Sequence, residues 1–276
     1  MQSDKPEENT ERNEFWDALR KGALVGIALL VIIIPPLRMA QKNKAAEHAA
    51  VATAPATQQP PAAAPAPDSV NGVQLADFKG EQPSADALKV ANWAVFTGDA
   101  KKHAFVIVDK KDARVYVFGP DGKLKDSAPA LLGAARGDDT FPGVGDKPIA
   151  QVLPEEKTTP AGRFVAEPGR NANGEDVVWV DYAAAVSMHR IRPLVAAERR
   201  LERLATLTVD DNRISFGCIN LPVSFYEDVL NPTVKKYGAI VYVLPETRSA
   251  EQVFGAYDVL QAQAGNAHAQ QVAFKR

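Results

Sequence analysis

A low-complexity stretch near the N-terminus limits where this chain can form a packed core. Residues Ala45–Pro67 consist almost entirely of Ala, Pro, Thr and Gln. Such a composition buries too little apolar surface to offset the loss of chain entropy, and its prolines favour an extended spacer. A folded domain is therefore expected only after this stretch, and we assign residues 38–83 as an Ala/Pro-rich linker.

The residues before the linker contain one uncharged segment. Gly22–Leu37 carries no charge over 16 residues and is bounded by Lys21 and Arg38. A helix that spans a bilayer needs roughly 17–25 apolar residues, and so small a mismatch is tolerated by thinning of the bilayer. No A-x-A-like cleavage site follows directly, which favours an uncleaved transmembrane anchor at 22–37 over a signal peptide. Residues 1–21 are then a polar leader, and the basic residues on the two sides of the segment are too nearly balanced to settle its orientation.

Composition excludes several classes of protein. The 276 residues have a formal net charge of −2, so the chain as a whole lacks the basic character of a nucleic-acid-binding protein. A single cysteine, Cys218, rules out an intrachain disulfide. The four histidines are far apart in sequence, and no Cys/His cluster has metal-ligand spacing. We therefore predict neither a metal nor another cofactor.

The sequence after the linker is typical of β-structure. Ala104–Val108 and Arg114–Phe118 are rich in β-branched and aromatic residues. The turn signal at 119–122 predicts that Lys123–Leu132 forms a hairpin with the second of these strands. Further strands are predicted at Asp176–Val186, which leads to His189, and at Ala239–Leu244.

Helices are predicted around these strands. Ser84 provides a helix start and Gly98 a stop. Pro193–Leu204 has apolar residues at helical intervals among charged ones, which indicates an amphipathic helix with a solvated face. Ser224 and Glu227 have the spacing of a capping box at the start of a third helix, which should end at Asn231-Pro232. Residues 247–276 form an Ala/Gln-rich tail, predicted as a loose helix or a disordered segment.

Cys218 lies in the sequence N-R-I-S-F-G-C-I-N-L-P, from Asn212 to Pro222. A lone cysteine is more often a small buried apolar residue than a nucleophile. Its neighbours favour chemistry, because Gly217 lets the backbone approach a ligand closely. Ser215 and Asn220 are small polar residues that can hold a loop by local hydrogen bonds. The amides of Gly217 and Cys218 are candidate donors to an oxyanion.

The segment S-F-G-C-I-N resembles the S-x-G-C-[IV]-[RN] signature of the L,D-transpeptidases, whose YkuD-like catalytic domain acts on peptidoglycan. Val106–Phe118 is similar to the opening strand pair of that domain, and Thr158–Phe164 is similar to its T-P-x-G-x-F segment. The resemblance covers about residues 104–244. It implies a mainly β fold, a β-sandwich or barrel with peripheral helices, in a catalytic domain that we place at 84–246.

The resemblance also implies a mechanism for the site. Cys218 is expected to be the nucleophile, and His189, in V-S-M-H-R, is expected to be its base. The family commonly has Gly or Ser after this histidine and often a second histidine before the Gly-Cys pair, whereas this chain has Arg190 and Phe216. A backbone carbonyl that orients the imidazole survives the change to Arg190. We interpret Phe216 as a change in the shape of the pocket.

The expected reaction joins peptidoglycan stem peptides by 3→3 crosslinks, or attaches another acceptor amine, through a Cys218 thioester. Arg190, Arg192 and Arg213 lie close to the site in sequence and are candidates to bind substrate carboxylates, or else to pair with neighbouring acidic residues. Two alternatives stay open: an L,D-carboxypeptidase or hydrolase with the same Cys–His pair, and a non-catalytic wall-binding module. The resemblance implies an inner-membrane protein with residues 1–21 as a cytoplasmic leader, a periplasmic catalytic domain and a role in cell-wall biogenesis.

Overall fold

The computed structural model describes residues 69–70 and 72–265 of the chain. The predicted leader and anchor, most of the predicted linker and the end of the tail lie outside the described residues. Within the described ranges, no helix is both long and apolar enough to cross a membrane.

The described part of the chain is mainly β, as the sequence predicts. Its strands are β1 (Ser69–Val70), β2 (Val73–Gln74), β3 (Ala104–Asp109), β4 (Arg114–Phe118), β5 (Leu124–Pro129), β6 (Leu132–Gly133), β7 (Gly162–Arg170), β8 (Asp176–Asp181), β9 (Val186–Arg190), β10 (Arg213–Ser215), β11 (Ile219–Leu221) and β12 (Ala239–Val243). Eight of these strands form one sheet in the order β11-β9-β8-β7-β12-β3-β4-β5. Most neighbours in the sheet are antiparallel, but β3 with β12 and β9 with β11 are parallel pairs.

The two outer strands of this sheet approach each other. Leu131 lies just after β5 and Asn220 lies in β11, and each donates a backbone N–H to the carbonyl of the other at 2.9 Å. Beside them, β6 and β10 form a short parallel pair. The sheet is therefore nearly closed into a barrel, and Leu131 and Asn220 form what we call the seam.

Strand β3 shows how the core is built on both faces of the sheet. Val106 and Val108 belong to one buried cluster and Phe105 and Ile107 to another, because successive side chains of a strand point to opposite faces. The second cluster is covered by the helix α1 (Ala85–Thr97). Residues from either side of the predicted 84–246 segment also pack there: Leu75, Phe78, Ala256 and Val259.

The helices are short apart from the first. They are α1 (Ala85–Thr97), α2 (Arg200–Ala205), a π-helix (Phe225–Leu230), α3 (Asn231–Tyr237) and α4 (Ala250–Phe254), and residues 259–265 are also helical. The 3-10 helices are Val144–Asp146, Ile149–Gln151, Pro154–Glu156, Ala196–Glu198 and Val209–Asn212. The start and stop predicted for α1 are confirmed, because the Ser84 side chain accepts from Ala87 N and Gly98 is left-handed.

Two predicted elements were wrong in extent. The helix predicted at Pro193–Leu204 is divided, because Arg199 adopts a left-handed backbone (φ 50°) between the 3-10 helix Ala196–Glu198 and α2. The strand predicted at Asp176–Val186 is a hairpin of β8 and β9, with a turn between them. As a consequence, His189 lies within β9 rather than after the end of a strand.

The third predicted helix also differs at both ends. Ser224 is itself in the right-handed helical conformation, so its side chain caps no amide, and Glu227 binds Arg190 instead. Asn231-Pro232 does not end the helix, because proline is compatible with the first turn of α3. The segment therefore continues from the π-helix into α3.

Candidate active site

Cys218 lies in the loop between β10 and β11, one residue before β11 begins. Strand β11 runs parallel to β9 with Ile219 opposite Met188 and Asn220 opposite His189. This register brings Cys218 to the first half of β9. Its Sγ atom is 3.4 Å from the Ala185 carbonyl oxygen and 3.7 Å from Ser187 Oγ.

Ser187 and His189 are two residues apart on β9, so their side chains project from the same face of the strand. His189 lies opposite Asn220, two residues after Cys218, and it acts to lower the pKa of the Cys218 thiol. The predicted pair of Cys218 and His189 thus comes from two segments that lie side by side in the sheet, the start of β11 and β9. Ser187 was missed from the sequence, although the i, i+2 spacing on a strand that leads to His189 was a usable signal.

The imidazole of His189 is oriented by the backbone. Its Nδ1 atom is 2.7 Å from the Arg190 carbonyl oxygen. Since a carbonyl only accepts, Nδ1 is the donor, and in the neutral ring Nε2 is left as the acceptor. This tautomer suits a base that takes a proton from the thiol, and it needs no particular side chain at position 190.

The Cys218 thiol is shifted toward its reactive form. Burial acts to raise its pKa, but the hydrogen bond and the charge interaction with His189 act in the opposite direction, as do hydrogen bonds from Ser187. The net result is a pKa below the usual value for a thiol. The thiolate is the nucleophilic form of cysteine.

Alkylation of Cys218 by iodoacetamide should therefore titrate with a midpoint below that of a free thiol. The His189→Gln variant loses the positive charge that favours the thiolate while burial remains, so its midpoint should lie higher than in wild type. Because the chain has one cysteine, mass spectrometry can follow the labelling over about pH 5–10 without interference from other thiols. Equal midpoints in wild type and His189→Gln would contradict the assigned pair.

Two polar side chains hold the nucleophile loop. Ser215 Oγ donates to the Cys218 carbonyl oxygen at 2.6 Å and accepts from Gly217 N at 3.1 Å. Asn220 Nδ2 donates to the same carbonyl at 3.2 Å, and Arg200 fixes Asn220 by donating to its Oδ1 at 2.8 Å. Ser215 and Asn220 thus have contacts of the kind expected for loop support.

The Gly217 amide, predicted as an oxyanion donor, is engaged inside the loop, because its N–H is donated to Ser215 Oγ. The Gly217 carbonyl accepts from Thr159 Oγ1 at 2.8 Å. In a planar trans peptide the following N–H points away from the carbonyl, so the Cys218 N–H points away from Thr159. The Cys218 N–H is therefore the amide of this loop that is suited to donate a hydrogen bond to an oxyanion.

Gly217 is required by the backbone at this point. Its φ of +125° is a conformation that L side chains rarely adopt, and a Cβ atom there would lie 2.7 Å from the Thr158 carbonyl oxygen. The loop that carries Cys218 therefore packs directly against the Thr158 backbone.

A buried group of charges supports the Thr158–Thr159 segment. Lys110 is fully buried, and its Nζ donates to Asp138 Oδ1 at 3.0 Å and to the Thr159 carbonyl at 2.9 Å. Glu246 lies 3.7 Å from the same ammonium and also binds Arg213. We call Lys110, Asp138, Arg213 and Glu246 the buried charge cluster. Burial acts to lower the pKa of Lys110, against the raising effect of Asp138 and Glu246.

The three arginines predicted as substrate ligands are engaged with acidic residues. Arg190 contacts Asp176 at 2.9 Å and Glu227 at 2.7 Å, and its guanidinium lies 4.5 Å from the centre of the Tyr226 ring. Arg192 pairs with Glu175 at 3.3 Å. Arg213 is buried in the charge cluster, so it is the structure's clearest correction to the substrate-binding prediction.

A cavity of about 380 Å³ opens beside His189. Its lining is mostly charged: Arg170, Gly174, Glu175, Asp176, His189, Arg190, Ile191, Arg192 and Val223. A slightly larger cavity of about 420 Å³ is lined by neither Cys218 nor His189. The first cavity is lined by His189 but not by Cys218, so it adjoins the candidate base without enclosing the nucleophile. Within the described residues, no group of three or more His, Cys, Asp or Glu side chains is placed to hold a metal ion.

Comparisons with solved structures find L,D-transpeptidase domains. The catalytic domain of the Enterococcus faecium L,D-transpeptidase is 18% identical, with a TM-score of 0.31, and the match covers 52% of this chain and 98% of that one. The Mycobacterium smegmatis L,D-transpeptidase is 17% identical over 51% of this chain and 58% of that one, with a TM-score of 0.28. The helical cell shape determining protein Pgp2 from Campylobacter jejuni is 18% identical over 53% of this chain and 49% of its own, with a TM-score of 0.34.

The names of the first two structures agree with the family that the S-x-G-C segment resembles. No family model and no characterised protein sequence matches this chain. The match spans about half the length of Pgp2 and of several longer L,D-transpeptidase structures. Since identities are below 20% and TM-scores are below 0.5, activity and substrate have to be inferred from the site itself.

Proposed function

We propose that this protein is a cysteine-dependent L,D-transpeptidase that acts on peptidoglycan stem peptides. The observation that carries the proposal is the parallel β9–β11 register that brings Cys218 to β9, with His189 lowering the pKa of the thiol and its Nδ1 fixed by the Arg190 carbonyl. A nucleophile, a base and a group that orients the base are the parts needed for acyl transfer through a covalent intermediate. The substrate class follows from the resemblance of the S-F-G-C-I-N segment to the L,D-transpeptidases.

In the first half-reaction, His189 Nε2 takes the thiol proton and Cys218 Sγ attacks the carbonyl carbon of the residue before the terminal D-amino acid. A C–S bond forms, and the oxyanion is stabilised by the Cys218 N–H. One such donor is worth about 2.7–4 kcal/mol in comparable sites. The C–N bond then breaks, and the proton held by His189 goes to the amine of the departing D-amino acid.

In the second half-reaction, an amine of another stem peptide attacks the thioester. His189 removes a proton from that amine, a new C–N bond forms, and the C–S bond breaks to return the thiolate. The product is a 3→3 crosslink. Water in place of the amine would give a shortened stem and make the protein a carboxypeptidase.

We also propose that the chain is held at the inner membrane with this domain in the periplasm. The proposal is supported by the uncharged segment at 22–37 and by the Ala/Pro-rich composition of the linker, which suits a spacer between membrane and wall. A wall polymer lies outside the membrane, so the site must be on that side to reach it.

The proposed function is tested by incubating the purified full chain with a disaccharide-tetrapeptide and identifying the products by mass spectrometry. A crosslinked dimer that depends on Cys218 is the expected result. If a shortened tripeptide were the sole product, the protein would be a carboxypeptidase rather than a transpeptidase. A second stem peptide and a carrier protein are both offered as acceptors. If the substrate is still unchanged, the protein is better explained as a non-catalytic wall-binding module.

A further inference from the structure

The proposed substrate ends in a carboxylate one residue beyond the bond that is cut, yet the arginines near the site are paired with acidic residues. A cation with a free charge beside the nucleophile loop would complete the recognition of such a peptide. Lys157 has this position. It follows the 3-10 helix Pro154–Glu156 and directly precedes Thr158, whose backbone packs against Gly217.

The ammonium of Lys157 is held by an aromatic ring of the nucleophile loop. Its Nζ atom lies 4.3 Å from the centre of the Phe216 ring. Phe216 is two residues before Cys218 and is 41% exposed, and Lys157 is half-buried, so this pair lies at the surface of the loop. A cation over an aromatic face is attracted by the ring but keeps its whole charge.

Lys157 has no acidic partner among the described residues, because Glu156, the residue directly before it, is paired with Lys147. A half-buried lysine that is fixed in place but not neutralised is suited to bind an anion from the substrate. A carboxylate bound in this way gains a charge-assisted hydrogen bond, the stronger kind of hydrogen bond in proteins.

We propose that Lys157, positioned by Phe216, binds the terminal carboxylate of the donor peptide and makes the site selective for stems with a free C-terminus. The inference rests on the proposed function for the identity of the peptide. It assigns a role to Phe216, the position at which this chain departs from the histidine common in the family. Where the family has a polar imidazole, Phe216 provides an aromatic face against which the Lys157 ammonium packs.

The test compares two tetrapeptide substrates that differ in one group, a terminal carboxylate or a terminal carboxamide. In Lys157→Met, the KM for the carboxylate form should rise about 10–100-fold with little change in kcat, because a hydrogen bond to a charged group is lost. The KM for the carboxamide form should stay within about twofold, since it lacks the charge that Lys157 would recognise. Lys157→Arg should keep most of the preference.

Two further variants separate this role from a general loss of charge or fold. Lys236→Met removes another exposed lysine that lies over an aromatic ring, 4.9 Å from the centre of Tyr237, and should change neither KM. Phe216→Leu should raise the KM for the carboxylate form by a smaller factor, about two- to fivefold, because it removes only the cation–π contact.

A binding measurement keeps the test independent of turnover. In the full-length Cys218→Ala background, the Kd of the carboxylate peptide should rise on adding Lys157→Met, and that of the carboxamide peptide should not. This result would support the proposal even if wild type released no product, in which case the proposed function alone would fail. Equal effects of Lys157→Met on both peptides, or none on either, would overturn the proposal while leaving the Cys218 mechanism intact.

Discussion

Cys218→Ala should lose product formation by about 10⁴-fold or more in kcat, as expected when the nucleophile of a covalent mechanism is removed. Ser187 Oγ lies 3.7 Å from the sulfur, but a hydroxyl in this position lacks the low pKa that makes the thiol reactive. The rate is measured by mass spectrometry of products under single-turnover conditions.

The same variant should remain folded, because the Cys218 residue is only half-buried and because Ser215 and Asn220 hold the loop through its backbone carbonyl. Circular dichroism and thermal unfolding serve as the control. In the companion variant His189→Gln, kcat should fall by about 10²–10⁴-fold, which is the range for loss of a general acid–base group. Cys218→Ala retaining a tenth of the wild-type rate would show that the thiol is not the nucleophile.

Lys110→Met should lower the free energy of unfolding by about 3–5 kcal/mol, the range for removing one partner of a buried ion pair. The substitution keeps most of the side-chain volume but removes the positive charge between Asp138 and Glu246, and the side chains of Lys110 and Asp138 are both 0% exposed. Asp138 and Glu246 would then keep only Arg213 as a buried cation, beside the partly exposed Arg136 and Arg248. Urea unfolding followed by circular dichroism measures the loss.

Lys111→Met is the matched control for this prediction. Lys111 adjoins Lys110 in sequence, but its pair with Asp86 is on the surface, with side chains 47% and 41% exposed. An exposed ion pair contributes about 0–1 kcal/mol, so this variant should unfold almost as wild type does. If Lys110→Met and Lys111→Met had the same small effect, the buried charge cluster would not be a source of stability.

The contrast between these two lysines shows where sequence reasoning stops. Both occupy the K-K-D segment after a predicted strand, and no periodicity distinguishes the buried Lys110 from the exposed Lys111. The difference arises from Asp138 and Glu246, which come from loops distant in sequence. For the same reason the pairing of Arg213 with Glu246, and of Arg190 with Asp176, was not predictable from local charge patterns.

Local patterns did locate the strands and the site residues that belong to one motif. Runs of β-branched and aromatic residues predicted β3 and β4, and the turn signal after β4 predicted its hairpin with β5. The Cys218 loop was found from its own sequence. The approach of Cys218 to the strand that carries His189 depends on the parallel register of β11 and β9, which is set by tertiary packing rather than by either strand alone.

The seam of the barrel has a consequence for when the thiol becomes reactive. Leu131 and Asn220 are 89 positions apart, and bringing such distant segments together costs loop entropy before any contact offsets it. Asn220, whose backbone pairs with Leu131 at the seam, also holds the Cys218 carbonyl through its side chain. We therefore expect an incompletely folded chain to carry an ordinary, unactivated cysteine. Chemical competence would be acquired only at the end of folding, which spares a nascent or translocating chain from side reactions at its single thiol.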